Sequence, residues 1–273
     1  MPNNTHFSVR TSITPALTLL AGVLNPGSLC ATNLTDTGQD LCYNGSGMVA
    51  CDASTTGDSA AYPGQDGRFG RDAAAAAGQL SKIGAGEAGF DYTKICNSGE
   101  PAGNGDCPAN PVPGNGTNDW GCTRDNVTNL IWEVKINDVA HLRHHAWTYS
   151  WYSTDGTTNG GNAGTPDGGD NCLDTTRCDT EKFLADVNAA GLCGQSDWRV
   201  PNPGELQTLA NYSKASGPPI DNGYFPNAVN AFHWSASSTA IAGATYAWAG
   251  NGRSGGFPKS NQYAVRLVRG GQP

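Results

Sequence analysis

The chain has 273 residues, of which 37% are hydrophobic and 15% charged, a balance that excludes a large aliphatic core and calls for cross-links to supplement the packing. A net charge of −8 and a pI near 4.9 exclude the basic stripe that nucleic acid selects, and globally they disfavour acidic membranes and sulfated glycans. With 37 glycines and 16 prolines, turns and long irregular connections are expected in place of a helical bundle.

At the N-terminus, Arg10 precedes an apolar run from Ile13 to Leu24, closed by Asn25-Pro26-Gly27 and the small residues Ser28, Cys30 and Ala31. Residues 1–31 read as a secretory signal peptide. Two other readings stay open: lipidation at Cys30, where Leu29 occupies a position that wants a small residue, and a buried N-terminal helix. The run is short for a membrane span and no other stretch approaches about 18 apolar residues, so no membrane span is expected. Cleavage near Cys30 or Ala31 leaves Cys42, Cys51, Cys96, Cys107, Cys122, Cys172, Cys178 and Cys193, an even set suited to a secreted disulfide framework. Short loops favour Cys42 with Cys51 and Cys96 with Cys107. Cys178 and Cys193 bracket a predicted helix and are expected to pair across it, leaving Cys122 for Cys172. Zinc is disfavoured, since no Cys-x-x-Cys occurs.

Residues 32–118 read as a loop-rich, disulfide-held region, with one short helix expected within Asp72 to Gly84, where Ala73 to Ala77 and Leu80 fall. Residues 119–273 hold most of the aromatic side chains and form the expected main domain. Leu130 to Lys135 and Tyr263 to Val268 read as strands. Asp179 to Gly191 carries Phe183, Leu184, Val187 and Ala190 at helical spacing, with Thr180 as a candidate N-cap. Gly204 to Tyr212 reads as a helix with Leu206 and Leu209 inward, and Gly156 to Asp170 as a glycine-rich surface loop.

An ordered series of short motifs runs along the chain. It includes Gly64-Gln65-Asp66-Gly67-Arg68-Phe69-Gly70-Arg71-Asp72, Ala88 to Lys94, Asp125-Asn126-Val127-Thr128-Asn129-Leu130-Ile131-Trp132-Glu133 and Cys193-Gly194-Gln195-Ser196-Asp197-Trp198-Arg199-Val200-Pro201. Glu205-Leu206, Tyr224-Phe225-Pro226, His233-Trp234-Ser235 and Tyr263 to Gly270 follow. In this order the motifs resemble the Lcl C-terminal domain family, named after a bacterial collagen-like adhesin. The resemblance implies an α+β, C-type-lectin-like fold with short helices and a small antiparallel sheet. Formylglycine-generating enzymes and the variable proteins of diversity-generating retroelements are similar to it. It also implies that Trp234 to Asn261 forms an exposed recognition face.

The residues themselves support that expectation by composition. Trp234, Ser235, Trp248, Asn251, Arg253, Ser254, Phe257, Lys259 and Asn261 mix rigid aromatic anchors with adaptable polar groups, as binding loops do. The plainer reading is a turn-rich connection before the last strand. Arg253, Lys259, Arg266 and Arg269 make this tail locally basic. Trp198-Arg199 followed by Glu205 reads as an aromatic anchor with a buried Arg–Glu pair, and Trp132-Glu133 and Asp197 likewise read as structural. His141, His144 and His145 lack a third ligand and an intervening glutamate, so that segment reads as a solvated loop.

Calcium is left as an open cofactor, with Asp36, Asp40, Asp66, Asp72, Asp167, Asp170 and Asp174 as oxygen donors, although no Asp-x-Asp-x-Asp-Gly loop is present. No cysteine follows Cys193 and no nucleophile–base pair is evident, so a non-enzymatic protein is expected. The reading is a secreted or cell-surface recognition or adhesion protein for an extracellular glycan or protein. A structural subunit of a homo-oligomeric filament or surface layer, and a cryptic glycan-processing enzyme, are the alternatives.

Overall fold

The computed structural model describes residues 36–51, 62, 64–239 and 253–270, and the backbone of 246–250. The expected signal peptide, 1–31, lies outside the described residues. A hairpin of β1 (Leu41–Tyr43) and β2 (Met48–Ala50) comes first, followed by α1 (Asp66–Phe69) and α2 (Arg71–Ala76). The alanine run forms α2, but the helix ends near the first turn after it, well before Gly84.

Strands β3 (Tyr92–Cys96), β4 (Trp120–Asp125) and β5 (Leu130–Glu133) are joined by β9 (Val268–Gly270) in an antiparallel sheet of order β3-β4-β5-β9. Because β3 pairs with β4, the sheet crosses the boundary expected at residue 118. Asp125 makes the β4–β5 turn: its Oδ1 accepts from Val127 N at 2.8 Å and its Oδ2 from Thr128 Oγ1 at 2.7 Å. Asn129 then takes φ +60°, a conformation asparagine tolerates better than most side chains. The Asp-Asn-Val-Thr-Asn motif is thus a turn.

Helix α3 (Thr180–Ala190) buries Phe183 and Val187, as their spacing predicts. Its cap is Asp179, whose carboxylate accepts from Lys182 N at 2.9 Å, and Gly191 at φ +64° ends it. Helix α4 (Pro203–Gln207) is shorter than expected. Asn202 and Glu205 form a reciprocal capping box, and Leu206 and Leu209 turn inward. A second antiparallel sheet holds β6 (His233–Ser238), β7 (Tyr246–Gly250) and β8 (Ser254–Pro258). The architecture is therefore α+β, with small antiparallel sheets, few helices and four disulfides.

Two aromatic clusters form the core. One gathers Tyr149, Trp151, Phe183, Trp198, Trp234 and Leu267, and the other gathers Phe90, Tyr92, Trp132, Phe225 and Val268. Glu133 is buried with Lys135 at 2.7 Å, and Arg266 donates to the Glu133 carbonyl at 2.7 Å. The strand expected from Tyr263 is a strand only from Val268; Tyr263 and Ala264 make isolated bridges to Tyr149 and His233.

Cys42–Cys51 and Cys96–Cys107 form as expected. The other two pairings differ: Cys122 joins Cys193 and Cys172 joins Cys178. Helix α3 has 11 residues, so at 1.5 Å per residue its ends stand about 16 Å apart, far beyond the roughly 7 Å Cα limit of a disulfide. Cys178 and Cys193 emerge from opposite ends. Cys178 therefore closes the short loop to Cys172, and Cys193 pins the end of the helix to β4.

Candidate functional site

Sheet β6–β8 carries the expected recognition face, with Trp248 opposite Gly256 and Gly250 opposite Ser254. Trp234 and Ser235 are fully buried. The Trp234 indole donates to Tyr149 O and the Trp151 indole to Ser235 O, both at 2.8 Å, so this pair fastens β6 to the core from beneath. Phe257 is half-buried, tilted against Phe232 at 4.6 Å and edge-to-face with Tyr263 at 5.3 Å.

Lys259 is buried too. Its Nζ donates to the carbonyls of Asn159 at 2.8 Å and Asn162 at 2.6 Å and lies 3.9 Å from the Trp151 ring. Burial pushes its pKa down to about 8. It therefore anchors the Gly156 to Asp170 loop, which is a surface segment with a buried Asn159 at its heart. Asn261 donates to Tyr263 Oη at 2.9 Å. Arg253 and Ser254 are exposed at the start of β8, where Gln207 of α4 donates to Ser254 Oγ. Asn251 and the Trp248 side chain lie outside the described residues.

The basic tail is consequently mostly withdrawn from solvent. Lys259 and Arg266 are buried, Arg269 holds Asp197 at 2.7 Å, and of the four only Arg253 faces solvent. Hydrogen bonding to Arg269 lowers the Asp197 carboxyl.

Beside β6 opens a cleft of about 460 Å³, walled by Trp151 to Ser153, Asp155, Thr158, the first turn of α3 with Leu184, the Arg199 to Asn202 segment and Ala236 of β6. Glu181 accepts from Thr154 N at 2.6 Å, and Asp155 accepts from Thr157 N and Oγ1, the bonds that hold its carboxyl below the usual range. The carboxyl groups of Glu181 and Asp155 thus line the same cleft as Tyr152. Arg199 is committed to Glu205 in a two-pronged pair at 2.6 and 2.7 Å, half-exposed at the arginine end. Trp198 is buried and donates to Leu192 O at 3.0 Å, as expected of an aromatic anchor, whereas the Arg199–Glu205 pair, expected to be buried, lies at the surface. Trp147 to Tyr152 reads in the sequence only as an aromatic run, and no spacing within it marks Tyr152 as the residue that faces a cleft.

The His141 to His145 segment is not a solvated loop. Arg143 is buried and its guanidinium donates to the carbonyls of Val134 at 2.7 Å, Gly114 at 2.8 Å and Gly121 at 3.2 Å, and to Asn97 Oδ1 at 3.4 Å. Its histidines join no group of three metal-ligating side chains among the described residues. Such a group does exist among the candidate calcium-binding aspartates: Asp36, Asp66 and Asp72. Asp40, Asp167, Asp170 and Asp174 stand elsewhere; Asp167 pairs with Lys182 and Asp174 caps Thr176.

The model of the Lcl C-terminal domain matches residues 121–269, a little over half of the chain. The chain belongs to this family. The match begins in β4 and ends in β9, so the motifs Gly64 to Asp72 and Ala88 to Lys94 lie upstream of it. No curated protein and no solved structure matches the chain.

Four disulfides fit an extracellular location, and among the described residues no helix is long and apolar enough to cross a membrane.

Proposed function

We propose that the chain is a secreted or cell-surface, non-enzymatic recognition protein of C-type-lectin-like fold, and that its ligand is an extracellular glycan. The observation that carries this reading is the cleft beside β6. A tyrosine and two carboxyl side chains lining one cleft, with the hydroxyls of Ser153, Thr158 and Thr180, suit a hydroxyl-rich ligand that stacks on the ring and hydrogen-bonds to the polar groups. Arg253 and Ser254 stand exposed at the start of β8, on the far edge of the same sheet, while Trp234, Ser235, Phe257 and Lys259 fix that sheet to the core. That rigidity favours binding, since little ordering entropy is lost on contact.

Screening the purified protein against a glycan and protein array tests the assignment. Selective retention of glycans without product formation supports it. Turnover of a retained glycan supports the enzyme reading instead, and visible polymers with no retention support the structural-subunit reading.

A further inference from the structure

The carboxylates of Asp36, Asp66 and Asp72 converge from three separate segments: the lead into β1, the first residue of α1 and the second of α2. One oxygen from each lies within 4.8 Å of the others. Two oxygens on one calcium ion, each 2.3–2.6 Å from it, are at most about 5.2 Å apart, so the three fit a single coordination sphere.

A second observation points to a ligand. Asp36 is 5% exposed and Asp72 3%, yet both oxygens of Asp36 and Oδ2 of Asp72 have no hydrogen-bond partner. Buried acceptors left in that state cost free energy unless something neutralises them. Arg71, between the ligand segments, turns its Nε to Gly89 O at 2.8 Å. The remaining oxygens are used to aim the cluster: Asp72 Oδ1 accepts from Gly89 N at 2.8 Å, and Asp66 accepts from Thr37 Oγ1. Glycine backbone forms the wall. A Cβ at Gly89 would sit 2.5 Å from Asp36 Oδ2, and one at Gly70 would sit 2.2 Å from Asp66 Oδ1.

We infer that Asp36, Asp66 and Asp72 form a calcium site, completed by water, that clasps the Cys42–Cys51 hairpin to the rest of the fold. The all-oxygen donor set selects a hard cation and disfavours zinc. Three carboxylates from three separate segments impose no octahedron, which favours calcium over magnesium. The clasp reaches the main body through Thr37 O, which accepts from Tyr212 N at 2.8 Å, and through Gly89.

The test is calcium titration by calorimetry on the full, chelator-stripped protein, with magnesium as a parallel arm. One calcium per chain is expected, and calcium at about 100 times its Kd should raise Tm by about 5–10 °C. Asp36→Asn and Asp72→Asn should each weaken binding at least tenfold. The stripped Asp36→Asn protein should melt no lower than stripped wild type, since the amide removes a stranded charge, whereas a merely structural aspartate would lower it. The exposed Asp170→Asn should bind as wild type. No calcium uptake, uptake unchanged in both site variants, or tighter binding of magnesium than of calcium would overturn the assignment.

Discussion

Removing the Cys122–Cys193 cross-link should destabilise the protein more than removing any short-loop disulfide. The bond spans 71 residues, whereas Cys172–Cys178 spans 6. Loop-closure entropy then assigns about 4.4 kcal/mol to the long bond and about 2.2 kcal/mol to the short one. For a chain of this size 1 kcal/mol moves Tm by about 2–4 °C, so the Cys122→Ala/Cys193→Ala protein should melt about 9–18 °C lower and the Cys172→Ala/Cys178→Ala protein about 4–9 °C lower. Scanning calorimetry of the two double variants reads the contrast, and peptide mapping under non-reducing conditions reads the connectivity beneath it. A map joining Cys178 to Cys193, or a long-loop variant that melts no lower than the short-loop one, would refute the argument.

Further outcomes follow from buried groups. Trp198→Ala should cost about 3–5 kcal/mol in denaturant unfolding, while the exposed Arg253→Ala stays within about 0.5 kcal/mol of wild type. Arg143→Ala leaves three carbonyls and an amide oxygen without their donor and should cost about 3 kcal/mol or more; Arg143→Lys should not restore it, because one ammonium cannot reproduce the fork. Burial pushes Lys135 and Lys259 down to about 8 from 10.5, so between about pH 8 and 10.5 the folded state binds fewer protons than the unfolded one. Stability should therefore rise across that window, and Lys135→Met or Lys259→Met should flatten the rise in unfolding measured at pH 8 and 10.5.

The parts legible in the sequence are those set by neighbours along the chain. Helix α3 follows from the spacing of Phe183 and Val187, the short disulfide loops from their length, and the Trp198-Arg199-Glu205 unit from a local motif. The parts that misled depend on contacts distant in sequence. Cys122 finds Cys193 because β4 runs past the end of α3, which no spacing encodes. Lys259 looks like a surface cation but fills a socket made by carbonyls about 100 residues earlier. Arg143 sits in a segment that reads as solvated and is a buried hydrogen-bond hub, and Arg266 reads as part of a basic tail and is buried on the Glu133 carbonyl. Asp36, Asp66 and Asp72 are separated by 30 and 6 positions and follow no known loop pattern, so only folding brings them together.

The recognition surface is tested most directly by the Kd of a glycan selected on the array, measured for wild type and for Tyr152→Ala. Tyr152 is half-exposed on the cleft wall, so its ring is available to stack on a ligand. The account predicts at least a tenfold loss of affinity at unchanged Tm. Undiminished affinity in the folded variant would contradict it.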